Sequence, residues 1–305
     1  MKHITGGAKE IDRLLSGIAK RNAPPLRELG IERARIISSQ TIGVLDLPPV
    51  AGVQVETHAL AGAGASLRVS TPAGDMHGDT VLLWMHGGGF CVGSAQDTDG
   101  LCSFLAQGLK CTVASLDYRL TPEHKIGSAL QDAIDAMHWC AERFPGAKFI
   151  VGGESAGATL ALAASRAAST PATAAPEALL MIYPLVLPSE VATASRERYG
   201  SGHFLDMGDL RWMHVQSGFD EAEHLHPLSQ VASSAASPAT RTLIATAGRD
   251  PLCDEGQALA AQLRAMGGAV HEIHLPEMTH GCLQMTAMVP ASRLLREAMV
   301  DFVVS

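Results

Sequence analysis

From "TVLLWMH" (80–86) to the end, the chain alternates two textures. Short runs apolar at nearly every position, "TVLLWMH", "CTVASLDY", "KFIVGG", "ALLMIYP", "RTLIATAG" and "AVHEIHLP", read as strands buried on both faces. Between them, near 97–110, 125–144, in "SAGATLALAASRAA", in "DEGQALAAQLRAMGG" and near 290–304, apolar residues recur at helical spacing. Continuous apolar strands alternating with amphipathic helices predict a mostly parallel sheet with helices on both faces. In such sheets the chemistry gathers in loops beyond the carboxyl ends of the strands.

Two regions depart from this rhythm. Residues 1–45 read as helical, broken at Pro24-Pro25, with Ile11, Leu14, Leu15 and Ile18 on one face. Residues 186–225 carry Pro188, the polar run "SEVATASRERYGSGH" and a helix bearing Leu210, Trp212 and Met213. An insertion with its own helix reads as a lid, paired with the N-terminal helices. The expected division is therefore a discontinuous helical cap (1–45 and 186–225) over an α/β domain (46–185 and 226–305). "GVQVETHAL" and "ASLRVSTP" alternate in polarity and are separated by Gly62 and Gly64, as in an antiparallel pair. "QVASSAASPATR" (230–241) reads as a loop.

The strand–helix junction "FIVGGESAGATLAL" holds Gly153-Glu154-Ser155-Ala156-Gly157, the nucleophile-elbow pattern GxSxG. A tight turn there holds the serine in a strained conformation that flanking side chains would obstruct, so glycine is required at 153 and 157. A serine hydroxyl needs an adjacent base, and in this fold class the partners follow in the order serine, acid, histidine. Asp250 in "GRDPLCDEG" and His280 in "EMTHGC" each follow a predicted strand and converge on Ser155. Among competitors, Asp254 reads as the cap of the next helix. His271 and His274 lie within a strand, and His224 and His226 in the cap or its exit. HExxH is absent, so "HEIHLPEMTH" is not a zinc motif.

The run "HGGGF" (86–90) has a matching explanation. Attack on an ester carbonyl makes an oxyanion that needs preorganised N–H donors. Bare backbone at Gly88 and Gly89, with the N–H of Ala156, would supply them. A phosphate cradle is not indicated, since the Walker A lysine and Ser/Thr are missing and "AGAGAS" sits in a hairpin turn.

Charge and cysteine usage narrow the partners. The net charge is -8 with no long basic run, which argues against nucleic acid and anionic membranes. Six scattered cysteines show neither CxxC pairs nor metal-ligand spacing, so free thiols in a reducing cytosol are expected, with no metal. "MKHITGGAKEIDRLLSGIAKRN" has no continuous apolar segment of a secretory signal. No stretch reaches the ~20 apolar residues that span a bilayer. A cytoplasmic protein is the expectation.

Together, "HGGGF", "DYRLTPEH", "GESAG", "DPLCDEG" and "THG", in that order, resemble the bacterial hormone-sensitive-lipase-like esterases (family IV) of the α/β-hydrolase superfamily. The resemblance implies an eight-stranded sheet with an antiparallel second strand, a helical cap, and cofactor-free hydrolysis of short to medium acyl esters. It implies a small-molecule ester as substrate and a homodimer through an edge strand, for which "AVHEIHLP" is the candidate. Arg119 and Glu123 are expected to brace the glycine loop as a buried ion pair, with His86, Gly87, Gly153 and Gly157 also supporting the site. Phe90, Glu154, Phe204 and Trp212 are candidate pocket residues. The chain departs from the family at Glu154 (aspartate or threonine), Cys282 (phenylalanine) and Ala158 (glycine). Amidase, lactonase and deacetylase chemistry use the same groups and stay open. A non-catalytic receptor on this fold is disfavoured by the presence of both Asp250 and His280.

Overall fold

The computed structural model describes residues 1–60, 64–74, 80–167, 175–227 and 240–305. Nine strands form one sheet among these residues: β1 (Lys2–His3), β2 (Val53–Ala59), β3 (Ser66–Pro72), β4 (Thr80–Met85), β5 (Thr112–Asp117), β6 (Lys148–Glu154), β7 (Ala178–Ile182), β8 (Arg241–Arg249) and β9 (Val270–Thr279). Their order is β1-β9-β8-β7-β6-β4-β5-β3-β2. Only β3 runs against its neighbours, pairing antiparallel with β2 and β5. Of the expected hairpin link, residues 61–63 lie outside the described residues, as does most of the loop expected over 230–241.

The ninth strand is the addition to the eight expected. The first residues, read as helical, instead pair parallel with β9 at Ile273 and His274, and Ile4 N–H donates to His274 O. That part of the edge proposed for dimer contact is therefore taken up by the chain's own N-terminus.

Both faces of the sheet are covered. On one side pack α1 (Ala8–Arg21), α3 (Asp99–Leu109) and α9 (Arg293–Val304), through Ile11, Leu101, Leu105 and Met299. On the other pack α4 (Ile126–Arg143), α5 (Ala156–Ala167) and α8 (Cys253–Ala265), through Ala129, Ala133, Leu160 and Leu259. Strand β4 feeds both layers: Val81, Leu83 and Met85 join the second, Leu82 and Trp84 the first. That is the two-residue side-chain period of a strand with no wet face.

Of the predicted apolar face of α1, Ile11 is fully buried, Leu14 and Leu15 pack on the core edge, and Ile18 is exposed. Over the carboxyl ends of the strands lie α2 (Ile31–Leu45), α6 (Ala194–Tyr199) and α7 (Met207–Ser217). Ala34 of α2 and Met213 of α7 share a small apolar cluster with Cys91 and Val92, edged by Leu26, Ile31 and Trp212. Arg27 ties the N-terminal segment to the insertion through Asp206 and Asp209 at 2.9 and 3.0 Å. Among the described residues no helix is long and apolar enough to cross a membrane.

Candidate active site

Ser155 lies between β6 and α5 with φ +53°, a left-handed conformation that costs a side-chain-bearing residue roughly 1–2 kcal/mol. The surroundings enforce it. Ser155 N–H donates to Ile182 O at 2.9 Å, while Ser155 O accepts from Ala158 and Leu185 N–H at 3.1 and 3.3 Å. A Cβ on Gly157 would lie 2.1 Å from Met85 O, and one on Gly153 2.4 Å from Gly157 C. Both contacts are with main chain, which cannot step aside. The helix can start this close to β4 and β6 only with glycine at those two positions.

Strands β8 and β9, adjacent in the sheet, deliver the acid and the imidazole side by side. Their register runs Ala247↔Leu275 and then Arg249↔Thr279, so two steps on β8 match four on β9. Gly248 makes this irregularity possible, since a Cβ there would lie 2.4 Å from Pro276 O. With Arg249 opposite Thr279, the next residues on each strand are Asp250 and His280. Asp250 is fully buried; its Oδ2 lies 2.8 Å from His280 Nδ1 and its Oδ1 accepts Leu252 N–H at 2.8 Å. His280 Nε2 lies 3.1 Å from Ser155 Oγ. An ionised carboxylate only accepts, so Nδ1 carries the proton and Nε2 faces the hydroxyl as an acceptor. The structure thus brings Ser155, His280 and Asp250 into one hydrogen-bonded line.

The glycine loop follows β4, which neighbours β6, so it abuts the serine: a Cβ on Gly87 would lie 3.5 Å from Ser155 Cβ. Gly88 and Gly89 have φ +113° and +57°. A Cβ on Gly88 would meet Val92 O at 2.0 Å, whereas one on Gly89 would meet the Met213 side chain. The peptide planes that carry the two N–H groups are fixed through their carbonyls. Gly87 O accepts from His86 Nδ1 at 2.7 Å, and Gly88 O accepts Cys91 and Val92 N–H at 3.1 and 3.0 Å. Among the described residues no acceptor engages the N–H of Gly88, Gly89 or Ala156. His86 is stacked on Tyr118, with ring centroids 4.2 Å apart, and burial pushes its pKa down, so it is a neutral brace.

Three expectations need correction. Arg119 and Glu123 do not pair. Arg119 holds the fully buried Asp132 of α4 at 2.7 Å, and Glu123 is held by Arg35 of α2 at 2.6 Å, which keeps its carboxyl below the usual range. Phe90 does not line a pocket; it has no accessible surface and stacks on Phe219 at 5.5 Å. Asp254 does not cap α8 but accepts Ser195 N–H from the insertion at 2.8 Å. Of the other pocket candidates, Phe204 is half-buried beside Gly281 and Trp212 packs at the edge of the cluster around Met213.

Glu154 lies beneath the site. It accepts from Tyr183 OH at 2.6 Å and from Gln284 Nε2, and burial raises its pKa. The Tyr183 ring in turn packs against His280, with centroids 4.6 Å apart. Cys282, next to this pair, is a buried thiol whose pKa burial also raises. Asp132, Tyr183, Gln284 and Arg35 were missed in the sequence. For Asp132 a signal existed, because it shares the apolar stripe of Ala129, Ala133 and Ala136 on α4, and an acid there requires a buried partner. Among the described residues no group of three His, Cys, Asp or Glu side chains is arranged to hold a metal.

A family model described as the alpha/beta hydrolase fold matches residues 82–284. The ethyl acetate hydrolase of Pseudomonas putida is 36% identical over 215 residues, covering 68% of this chain and 67% of that one. The carboxylic ester hydrolase LipN of Mycobacterium tuberculosis is 36% identical over 221 residues, covering 67% of this chain and 57% of its own. Among solved structures, the hyperthermophilic esterase of the archaeon Pyrobaculum calidifontis superposes with a TM-score of 0.84 at 26% identity, covering 95% of each chain. The chain belongs to the α/β-hydrolase fold family, in its hormone-sensitive-lipase-like branch, whose relatives named here are ester hydrolases.

Proposed function

We propose that the protein is a serine carboxylesterase that cleaves short- to medium-chain acyl esters through an acyl-enzyme. The observation that carries this reading is the Asp250–His280–Ser155 line, at 2.8 and 3.1 Å, ending on a serine held at positive φ beside backbone N–H groups that no acceptor among the described residues engages. Carboxylic ester hydrolysis is also the activity in the names of the relatives above.

In the first half-reaction His280 Nε2 takes the Ser155 proton as Oγ attacks the ester carbonyl. The carbonyl oxygen becomes an oxyanion facing the N–H groups of Gly88, Gly89 and Ala156, with the N-terminus of α5 behind it. Asp250 holds the imidazole in the required tautomer and stabilises the imidazolium without taking its proton. The imidazolium then protonates the leaving alkoxide, and alcohol departs. In the second half the neutral imidazole deprotonates water, which attacks the acyl carbonyl and releases the acid. Of the expected cap (1–45 and 186–225), α2 and the insertion act as the cover beneath which the ester binds, with Phe204 and Trp212 as candidate walls, whereas β1 and α1 belong to the sheet and its layer.

Hydrolysis of p-nitrophenyl acetate, butyrate, octanoate and laurate tests this directly. Turnover falling across the longer chains, and absent in Ser155→Ala, is expected. Turnover surviving in Ser155→Ala, or confined to laurate, contradicts the reading.

A further inference from the structure

Helix α2 touches both loops of the site, although nothing in its sequence carries the reacting groups. Arg35 and Ser39 are four residues apart and so share one face of the helix, and Asp46 is the extended residue that follows its last turn. Ser39 Oγ donates to Asp97, in the turn beyond the glycine loop. At the far end Leu45 O accepts Ala287 N–H at 3.0 Å and Leu47 N–H donates to Thr286 Oγ1 at 3.3 Å. Asp46 accepts from Arg296 Nη2 at 2.6 Å, and Arg296 Nε donates to Leu283 O at 2.9 Å, just after His280.

Arg35 makes the tie to the glycine loop. Its Nε donates to Cys91 O at 2.9 Å and its Nη2 to Thr121 O at 2.9 Å. Nη1 and Nη2 grip the Glu123 carboxylate at 2.9 and 2.6 Å. Cys91 is the residue whose N–H closes the turn on Gly88 O, so its peptide groups are pinned from both sides. Thr121 itself holds Phe90 O, through its N–H at 3.0 Å and its hydroxyl at 3.2 Å. The carbonyls of Gly88, Phe90 and Cys91 are therefore all engaged, and a single guanidinium from the cap is the outermost member of that set. Arg35 and Glu123 side chains are 27% and 48% exposed, so solvent screens their attraction and the pair adds little stability. What the planar fork supplies is direction.

We propose that Arg35 is a positioning residue for acyl transfer: it holds the Gly88–Cys91 turn in the conformation that presents the N–H groups of Gly88 and Gly89. Seating of α2 and assembly of the oxyanion site are then one event. This rests on the reading of Ser155, His280 and Asp250 given above.

The test compares wild type, Arg35→Ala, Arg35→Lys and Arg27→Ala, the last of which cuts only the tie to Asp206 and Asp209. Active sites are titrated with a p-nitrophenyl phosphonate. For each variant kcat and KM are then measured on p-nitrophenyl butyrate, with Ki for a trifluoromethyl ketone that forms a hemiketal oxyanion on serine. Per titrated site, Arg35→Ala is expected to lose about 10- to 100-fold in kcat, with Ki weakened by the same factor and KM little moved. Added guanidinium ion should restore part of the loss, and Arg35→Lys should lie between Ala and wild type. Arg27→Ala should keep kcat and Ki within about twofold while KM rises.

An Arg35→Ala protein with kcat and Ki near wild type per titrated site, whatever its melting temperature, would overturn the proposal. If that variant does not fold, wild-type values in Arg35→Lys would overturn it equally. A wild type that hydrolyses no ester and takes up no phosphonate would instead remove the reading of the site itself.

Discussion

The serine turn and the glycine loop offer adjacent backbone to the same small space, yet they are held by different means. The turn at Ser155 is fixed by contacts between its own glycines and the strand beside it, where a Cβ on Gly157 would sit 2.1 Å from Met85 O. The glycine loop shares such a main-chain closure at Gly88, where a Cβ would sit 2.0 Å from Val92 O, but its other ties are side chains: His86 behind it, Thr121 beside it and Arg35 reaching in from the cap. A part of the site built from main-chain sterics tolerates no substitution and needs no partner. A part built from long side-chain ties stays adjustable and depends on residues far away in the chain.

The largest expected effect separates chemistry from scaffold. Ser155→Ala removes only the hydroxyl, so kcat should fall by about 10⁶-fold while the melting temperature stays within a few degrees of wild type. Asp250→Asn should follow, with about 10⁴-fold lost in kcat because the imidazole takes the wrong tautomer. Asp254→Asn, which touches only the insertion, should cost less than about tenfold by the same assay. Equal losses from the two aspartates would undo the assignment of the acid.

Two glycine variants address the contrast between the turn and the loop. Gly157→Ala forces a methyl into main chain and is expected to cost more than about 4 kcal/mol in denaturant unfolding. Gly89→Ala meets the Met213 side chain, including its Cβ at 2.8 Å, and a strained φ, so about 2–3 kcal/mol is expected, with the greater harm to kcat. Similar stability losses at both positions would show that the loop is as rigidly enclosed as the turn.

The smallest effect concerns Glu154, which joins the two loops from below. Burial raises its carboxyl above the ordinary 4.5, so the folded chain keeps that proton to higher pH than the unfolded chain does. The stability this gives is complete below that ordinary value and is lost as pH rises through the folded-state titration. Glu154→Gln does not titrate. Its melting temperature relative to wild type should therefore improve between about pH 4.5 and pH 8, and a constant difference across that window would contradict the burial effect.

What was legible in the sequence follows the same division. Gly153, Ser155 and Gly157 were readable because their requirement is local: three residues, one turn, one steric rule. Asp250 and His280 were readable because chain order and sheet topology place the ends of β8 and β9 together. The pairing of Glu123 was misread, since a guanidinium from α2, 88 residues earlier, outcompetes the arginine four positions away. Nothing in "IERARIISSQ" distinguishes Arg35 from Arg33; only the docked helix does. Phe90 was misplaced for a related reason. A positive φ of +66° turns its ring into the core against Phe219, and a local pattern does not reveal that turn.

Labelling the intact protein with a p-nitrophenyl phosphonate, followed by peptide mass spectrometry, probes the Asp250–His280–Ser155 relay most directly. One stoichiometric adduct on Ser155, lost in Ser155→Ala and strongly slowed in Asp250→Asn, is the predicted outcome. No adduct, or an adduct on another side chain, would mean that this serine is not the nucleophile.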